Sequence, residues 1–318
     1  MIKIGIYGYG NLGHGVEEAA ARSSDLQTAA IFTRRDRSHI SSPFGTAIFP
    51  ADCAEEFRDR IDVMLVCTGS AQDTPIVSPA LARSFSLVDS YDCHGRIRHH
   101  IAAVDAAARE GGTLALVSAG WDPGIFSLMR AFGEAFIPKG ESFTFWGRGV
   151  SAGHSEAARR IEGVLDAREY TVPIPFAVDR ARNGESGMTA RDMHRRECYV
   201  VAAPDADKSR ISAEIKAIPD YFAPYDTEVI FITADQMAQE HSDMPHGGRV
   251  IRHGDGCTAE YSLRLSSNPR FTATVMLCYA RAVARLCKQG QRGCRTVLDI
   301  PPSHLLPMSD DELVRSFL

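Results

Sequence analysis

The chain has 318 residues, a formal net charge of −5, and apolar and charged fractions of 44% and 24%. This length is sufficient for two domains with buried cores, and the composition is that of an ordinary globular protein. The negative charge gives no electrostatic reason to expect a nucleic-acid or anionic-membrane partner, and no apolar run approaches membrane-spanning length.

The eight cysteines contain no Cys-x-x-Cys pair and are scattered through predicted strands and helices. That pattern suits free thiols in a reducing cytoplasm better than a disulfide framework. Because the first predicted strand begins at Ile2, we expect no signal or transit peptide and a cytoplasmic location.

The first thirty-five residues follow the order strand, G-x-G-x-x-G, helix and strand, with the strands predicted at 3–7 and 28–32. In this context the glycine pattern indicates a dinucleotide site rather than a purely structural turn. Gly8 permits the tight turn, Gly10 lets a pyrophosphate approach the backbone, and Gly13 lets the helix lie against the sheet. The predicted contacts in this loop are Gly8, Tyr9, Gly10, Asn11, Leu12 and Gly13.

The end of the second strand indicates which dinucleotide binds. A site for NAD usually carries an acid there, whereas this strand ends in Thr33, Arg34 and Arg35, and the first acid is Asp36. Two guanidinium groups and a hydroxyl attract a 2′-phosphate. We therefore favour NADP, and the alternative is a solvated pair of arginines.

Strands predicted at 62–67, 86–89 and 113–118 alternate with helices near 53–60, 75–83 and 98–110. This alternation predicts an α/β fold with a Rossmann-type doubly wound parallel sheet for residues 1–120. Ligands of such sheets bind outside the carboxyl ends of the strands. Further cofactor contacts are therefore predicted at Cys67, Thr68, Gly69, Ser70, Ser90, Tyr91, Asp92, Ala119, Gly120, Trp121, Asp122 and Pro123.

The pattern changes after residue 120. A helix is predicted at 126–136, and strands at 142–146, 169–176, 197–202, 227–233 and 258–265, with a glycine-rich loop at 147–153 and a tight loop at 244–248. These elements predict a second, α+β domain over about 121–269. A long helix from Asn268 to about Lys288 and a last element opening at Ser309 are expected to return to the first domain, over about 270–318.

Two acids at strand ends, Asp92 and Asp122, are the candidates for chemistry beside a nicotinamide. Each has a structural alternative, since Asp92 could cap the next helix and Asp122 could be a turn residue before Pro123. Either Arg195 or Arg196 could bind a carboxylate or form a solvated basic tip.

Four residues, Cys93, His94, His99 and His100, lie close enough in the chain to suggest a metal site. Their spacing does not place three ligands on one helix face, and hydride transfer needs no metal, so none is predicted. The residues alone indicate an NADP-dependent oxidoreductase with an acidic crevice, and they do not name its substrate.

Several motifs together resemble the meso-diaminopimelate dehydrogenase family over essentially the whole chain. Those specific to the family are Trp-Asp-Pro-Gly at 121–124 and Met-Pro-His-Gly-Gly at 244–248. The resemblance implies reversible NADP-dependent oxidative deamination of the D-centre of meso-2,6-diaminopimelate to L-2-amino-6-oxopimelate, ammonium and NADPH, in lysine biosynthesis. It also implies a homodimer formed through the second domain.

The resemblance implies that Asp92 and Asp122 serve the reacting end, with Trp146 as a wall of the pocket. The implied substrate contacts are Asp92, Asp122, Trp146, Ala152, Gly153, Thr171, Arg196, His246 and Asn268. Ala152 stands where glutamine is common in the family, and Met129 where asparagine is frequent, so the substrate range is open. The alternatives are a broader D-amino-acid dehydrogenase that aminates other 2-keto acids, and a non-catalytic NADP sensor.

Overall fold

The computed structural model describes residues 1–70, 72–219 and 221–318, and for residue 152 it describes the backbone alone. Within these residues the strands are β1 (Ile2–Tyr7), β2 (Leu26–Thr33), β3 (Ile48–Pro50), β4 (Val63–Val66), β5 (Leu87–Asp89), β6 (Leu114–Leu116), β7 (Glu141–Trp146), β8 (Gly149–Val150), β9 (Val164–Pro173), β10 (His194–Ala202), β11 (Asp226–Phe231), β12 (His246–Gly254), β13 (Cys257–Leu265) and β14 (Gly293–Arg295). The α-helices are α1 (Asn11–Ala21), α2 (Thr74–Ala82), α3 (Ile97–Gly111), α4 (Ile125–Phe136), α5 (Ala152–Arg159), α6 (Pro175–Arg182), α7 (Ala190–Met193), α8 (Lys208–Ala217), α9 (Ala234–Glu240), α10 (Asn268–Lys288) and α11 (Asp310–Phe317).

The chain divides into two compact units. The first contains Met1–Leu128 and Pro269–Leu318, and the second contains Met129–Asn268. No helix in the described ranges is long and apolar enough to cross a membrane.

The first unit is built on a seven-stranded parallel sheet in the order β14-β6-β5-β4-β1-β2-β3. Its central strands are apolar on both faces: Val63 and Leu65 of β4 point into one core, and Met64 and Val66 into the other. Helices α1 and α10 cover the first face and α2 and α3 the second. A parallel sheet that is apolar on both faces needs helices on both faces, and this one has them. The predicted doubly wound fold is confirmed.

Two details of the first unit differ from prediction. The segment Ala51–Arg60 is helical as expected but adopts the tighter 3-10 form. Strand β14 was not predicted, and it extends the sheet by pairing parallel with β6. Its three residues are too short for a period-2 pattern to register.

The second unit contains two sheets, which confirms its predicted α+β character. One has the order β11-β10-β9-β8 and the other the order β13-β12-β7. Helix α8 packs through Ile211 and Ile215 on the four-stranded sheet, and α6 packs through Ala177 and Ala181 near the three-stranded one. In β13, exposed Ser262 and Arg264 alternate with less exposed neighbours, so the sheet has the expected wet face.

Three predictions for the second unit were wrong in extent. The strand predicted at 169–176 ends at Pro173, because Pro175 starts α6 and suits the first position of a helix. The tight loop predicted at 244–248 is largely strand, since β12 begins at His246. The glycine-rich stretch 147–153 contains the short strand β8 and the start of α5.

Candidate functional site

The glycine loop after β1 has the conformation that the fingerprint requires. Gly8 has a φ of +99°, and a Cβ at this position would lie 2.6 Å from the carbonyl oxygen of Cys67. A Cβ on Gly13 would collide with the Gly8 carbonyl, so the glycine permits α1 to start close to the loop. A Cβ on Gly10 would meet nothing within 4 Å. The backbone at Gly10 is therefore open to a ligand, as a pyrophosphate at a helix N-terminus needs.

A cavity of about 280 Å³ opens at this loop. It is lined by Tyr7, Gly8, Tyr9, Gly10, Phe32, Thr33, Arg34, Arg35, Cys67, Thr68 and Gly69. The predicted contacts Asn11, Leu12 and Gly13 follow in the first turn of α1. The remaining predicted contacts, from Ser70 and from 90–92 and 119–123, do not line this cavity and lie after β4, β5 and β6.

The two arginines at the end of β2 have defined partners. Arg34 Nη2 lies 2.8 Å from an oxygen of Asp73, and this hydrogen bond lowers the pKa of Asp73 and raises that of Arg34. Arg35 donates from Nη2 to the carbonyl oxygen of Tyr9, and its backbone N–H donates to Thr33 Oγ1 at 3.2 Å. Both cations thus line the cavity in a hydrogen-bonded arrangement, which fits an anionic group such as a 2′-phosphate.

A buried carboxylate that the sequence analysis missed lies behind this loop. Glu17 of α1 is 1% exposed and accepts hydrogen bonds from the hydroxyls of Tyr9 and Ser42. Burial, together with Glu17, raises the pKa of Tyr9. Glu17 therefore links the fingerprint loop to the segment after Arg35. An acid on the inner face of a helix was the available signal, since a buried charge needs partners.

Asp92 is exposed at the end of the β5 segment. Its backbone N–H donates to Ser70 Oγ at 3.0 Å, and Ser70 in turn donates to the Asp92 carboxylate. The following helix α3 has Arg96 as its N-cap and no side-chain cap. The helix-capping alternative for Asp92 is therefore wrong, and Ser70 joins the ends of β4 and β5.

Asp122 occupies a turn after β6. Trp121 and Gly124 form a bridge across this turn, and Phe126 N–H donates to the Trp121 carbonyl at 2.8 Å. The side chain of Asp122 is partly buried. The backbone of Asp122 therefore forms the turn that was the structural alternative for this residue. A turn in the backbone does not prevent a role for the Asp122 carboxylate in the site.

In the second unit, Arg196 of β10 is 5% exposed. Its Nη1 donates to Thr171 and lies 3.3 Å from Glu169 of β9, and the guanidinium carbon lies 3.9 Å from the ring centre of Tyr225. Its Nε is buried and has no hydrogen-bond partner among the described residues. Arg196 is therefore not a solvated basic tip, and its unpaired N–H makes it a receptor for a further acceptor.

Glu169 was not predicted as part of this cluster. It is fully buried, and it also lies 3.1 Å from His154 Nδ1 and accepts from Thr171. The carboxylate balances the charge of Arg196 and fixes one edge of the guanidinium.

Trp146 lies at the end of β7, and a third residue that the sequence analysis missed, His194, supports it. Its backbone N–H donates to His194 Nε2 at 2.9 Å, and the two rings stack with centroids 5.4 Å apart. Burial lowers the pKa of His194 to about 4, with a smaller contribution from Arg196. A neutral imidazole leaves Nε2 free to accept, so the pKa and the hydrogen bond agree.

His246, Asn268 and Thr171 lie around β8. Gly149 of β8 is paired with Thr171, and a Cβ on Gly149 would lie 2.5 Å from the His246 ring. The backbone N–H of Asn268 donates to the Met244 carbonyl at 3.1 Å, next to His246. The second unit thus brings the predicted residues Thr171, Arg196 and His246 together through neighbouring strands.

The last predicted contacts, Ala152 and Gly153, were expected in a turn and instead form the start of α5, after Ser151 as N-cap. The side chain of Ala152 lies outside the described part of the chain. Gly153 is exposed, with open space where a Cβ would stand. Among the described residues no group of three His, Cys, Asp or Glu side chains could hold a metal ion.

Four similarities to known proteins are found. The family profile described as "Diaminopimelic acid dehydrogenase C-terminal domain" matches residues 120–267. A protein of Acetivibrio thermocellus named meso-diaminopimelate D-dehydrogenase is 48% identical, covering 100% of this chain and 98% of that protein. A solved structure of the C. glutamicum diaminopimelate dehydrogenase in complex with diaminopimelate has a TM-score of 0.94 at 42% identity, covering 100% of this chain and 99% of that one.

An engineered D-amino acid dehydrogenase bound to NADP⁺ is also similar, with a TM-score of 0.90, 41% identity, and coverage of 100% of this chain and 99% of that one. These matches cover the full length of this chain and therefore both of its units. The chain therefore belongs to the meso-diaminopimelate dehydrogenase family.

Proposed function

We propose that this chain catalyses the reversible NADP-dependent oxidative deamination of the D-centre of meso-2,6-diaminopimelate, which gives L-2-amino-6-oxopimelate, ammonium and NADPH in lysine biosynthesis. The observation that carries the proposal is the buried guanidinium of Arg196, whose Nε has no hydrogen-bond partner in the described part of the chain, in a chain of this family. A substrate with a carboxylate at each end needs such a receptor at the end that does not react.

The dinucleotide lies in the first unit. The open backbone at Gly10 and the start of α1 face the pyrophosphate, while Thr33, Arg34 and Arg35 hold the 2′-phosphate. When bound, NADP⁺ supplies the hydride acceptor. The part of the protein in the reaction is to bind, orient and manage protons.

Asp92 orients the ammonium of the D-centre. A carboxylate stabilises an ammonium and so opposes its deprotonation, which the reaction requires before hydride leaves. Asp92 therefore acts chiefly by orientation, with Ser70 fixing its carboxylate, and solvent base takes the proton. Asp122 supports the same end of the substrate. In the second unit, Trp146 contributes a wall to the part of the substrate site that this unit carries.

The L-centre is held by residues of the second unit. Arg196 and Thr171 bind its carboxylate, with His246 and Asn268 beside them. Glu169 and Tyr225 keep the guanidinium in one orientation, so the position of the distal carboxylate is fixed relative to this unit.

The second unit is proposed to serve both substrate binding and dimerisation, and the protein to work as a homodimer in the cytoplasm. Light scattering of the purified chain measures the assembly state. A monomer that turns over at the full rate would remove the dimer from the proposal.

The test of function is NADP⁺ reduction with each stereoisomer of diaminopimelate. We expect turnover of the meso isomer and none of the L,L isomer, because only the former has a D-centre. Comparable turnover of D-alanine or D-lysine would favour the broader D-amino-acid dehydrogenase. Binding of NADP⁺ with no NADPH formed from any amino acid would favour a sensor.

A further inference from the structure

Asp89, the last residue of β5, is a fully buried carboxylate that takes no part in the functions described above. One of its oxygens lies 2.7 Å from Ser78 Oγ and 2.7 Å from His100 Nε2. The other accepts from the backbone N–H groups of Tyr91 at 3.1 Å and Ser118 at 2.9 Å. A buried carboxylate is tolerated when it is fully hydrogen-bonded, and this one has four donors.

The two backbone donors belong to the segments that carry the two acids of the reacting end. Tyr91 directly precedes Asp92. Ser118 begins the segment that leads to Asp122, and the Asp89 carbonyl also accepts from Ala119 N–H at 2.8 Å. Residue 89 thus holds the ends of β5 and β6 through three hydrogen bonds.

Ser118, which donates to Asp89, has an unfavourable backbone conformation. Its φ is +60°, in the left-handed region that non-glycine residues rarely adopt. Such a conformation is unfavourable for serine and persists only where surrounding contacts impose it. The hydrogen bond to Asp89 is the contact that fixes this N–H.

His100 of α3 holds Asp89 from the opposite side. A carboxylate oxygen accepts, so His100 donates from Nε2, and its ring also lies against the ring of Tyr91 with centroids 4.2 Å apart. His100 Nδ1 is buried without a partner in the described part of the chain. The ring is therefore oriented for Asp89 and Tyr91, at the expense of its second nitrogen.

We propose that Asp89, held by His100 and Ser78, is a positioning residue that fixes Asp92 and the Asp122 segment for reaction. The inference rests on the proposed function. It predicts control of the catalytic step and only a small effect on NADP⁺ affinity, because the cavity at Arg34 and Arg35 contains no residue bonded to Asp89, and the predicted cofactor contacts Tyr91 and Ala119 are linked to Asp89 through their backbone N–H groups alone.

The test compares Asp89→Ala with Asp89→Asn. Asparagine keeps an oxygen for Tyr91 and Ser118, and its amide can donate to Ser78 and to His100 after a change of tautomer. Alanine removes every link. Because a misplacement of about 1 Å can cost about 100-fold, we expect kcat to fall at least about 20-fold in Asp89→Ala and to stay within about fivefold in Asp89→Asn. The NADP⁺ dissociation constant should change less than about twofold in both.

Asp25→Ala is the matched control, since Asp25 pairs with buried Arg281 just before the amino end of β2 in the same unit. It should lower the melting temperature and leave kcat unchanged. If Asp89→Ala does not fold, the pair His100→Ala and His100→Gln replaces it, because glutamine can still donate to Asp89. In that case kcat should fall with alanine and be largely restored with glutamine.

The exchange rates of the backbone amides in peptides 90–92 and 118–122 measure how firmly Asp89 holds these two segments. The measurement needs no substrate. Faster exchange in Asp89→Ala and native exchange in Asp89→Asn support the proposal. Native kcat in a folded Asp89→Ala, equal losses in both variants, or a parallel loss of NADP⁺ affinity would overturn it. Inactivity of the unmodified chain on meso-diaminopimelate would refute the proposed function alone, since the exchange comparison still stands.

Discussion

The two units hold the arginines proposed to bind anions in opposite ways. In the first unit the side chain of Arg34 is 57% exposed and paired with Asp73, itself 36% exposed. In the second unit the side chain of Arg196 is 6% exposed and paired with a completely buried Glu169. The first pair is open to solvent and salt, whereas the second is removed from both.

This difference separates charge recognition from shape recognition. A phosphate on a surface cation can be held in several geometries, and its attraction is screened by salt. A carboxylate at Arg196 meets a guanidinium already fixed by Glu169, Thr171 and Tyr225, so only one orientation is available. The first unit is therefore suited to recognising a type of cofactor, and the second to recognising a carboxylate held in one orientation.

The largest effect is expected from Arg196→Met. The variant removes the charged donor for the distal carboxylate, and a hydrogen bond to a charged group contributes about 1.5–3 kcal/mol. We expect kcat/KM for meso-diaminopimelate to fall about 100-fold or more, with little change for a D-amino acid that lacks a second carboxylate.

Arg195→Met is the control for that variant. Arg195 is the neighbouring residue of β10 and pairs with Glu197 with its side chain 53% exposed. The Arg195→Met variant should have the kcat/KM of the unmodified protein on both substrates. A uniform loss of activity on both substrates in Arg196→Met would identify a purely structural arginine.

The second effect concerns pH and His194. Its pKa is about 4 when folded and about 6.5 when unfolded, so the unfolded state binds more protons between these values. The free energy of unfolding should therefore fall as pH drops from 6.5 towards 4, by up to about 3 kcal/mol from this residue.

In His194→Gln the free energy of unfolding should depend less on pH, since glutamine can accept the hydrogen bond from the Trp146 backbone N–H and does not titrate. Urea unfolding at pH 7 and pH 4.5 measures the free energy of unfolding. Because the chain has two tryptophans, the emission of Trp146 is recorded in a Trp121→Phe background. Identical pH slopes with and without His194 would contradict the prediction.

A smaller effect is expected from changing both Arg34 and Arg35 to alanine. Each charge-assisted contact contributes roughly 1.5–3 kcal/mol when buried and less at this exposure, so KM for NADP⁺ should rise about 30-fold. KM for NAD⁺ should change little. Arg37→Ala, on the exposed segment that follows, is the control. Equal losses with both dinucleotides would remove the 2′-phosphate role.

The glycine loop is a local pattern: Gly8 and Gly13 have their roles within one strand, turn and helix, so residue types and spacing were sufficient. The parallel sheet likewise follows from alternating apolar strands and helices. Strand β14, with three residues, carries too little pattern.

The Arg196 cluster could not be predicted in the same way. Glu169 and Arg196 are 27 residues apart, and only the pairing of β9 with β10 brings them together. The strand was predicted to begin at 197, so the alternation that turns Arg195 outwards and Arg196 inwards was not visible. Asp89 and His194 were missed for the same reason, since Asp89 accepts from Ser118, 29 residues away, and His194 accepts from Trp146, 48 residues away. Glu17 differs, because an acid on the inner face of a helix was a signal that the sequence did carry.

The smallest effect tests whether the exposed site is adjustable. Asp73 holds Arg34 at 2.8 Å and would compete with a 2′-phosphate for it, while adding a negative charge nearby. Asp73 is the N-cap residue of α2 but makes no side-chain capping bond, so Asp73→Asn does not remove a cap. Exposed ion pairs contribute about 0.2–1 kcal/mol, so NADP⁺ should bind about two- to fivefold more tightly in this variant at low salt. The gain should shrink at high ionic strength, because the interaction is screened.

Titration of NADP⁺ by calorimetry at two salt concentrations measures the gain in affinity and its dependence on salt. NAD⁺ is the control ligand, since it lacks the phosphate. Weaker NADP⁺ binding in Asp73→Asn would mean that Asp73 orients Arg34 for the phosphate, and the first unit would then be as preorganised as the second.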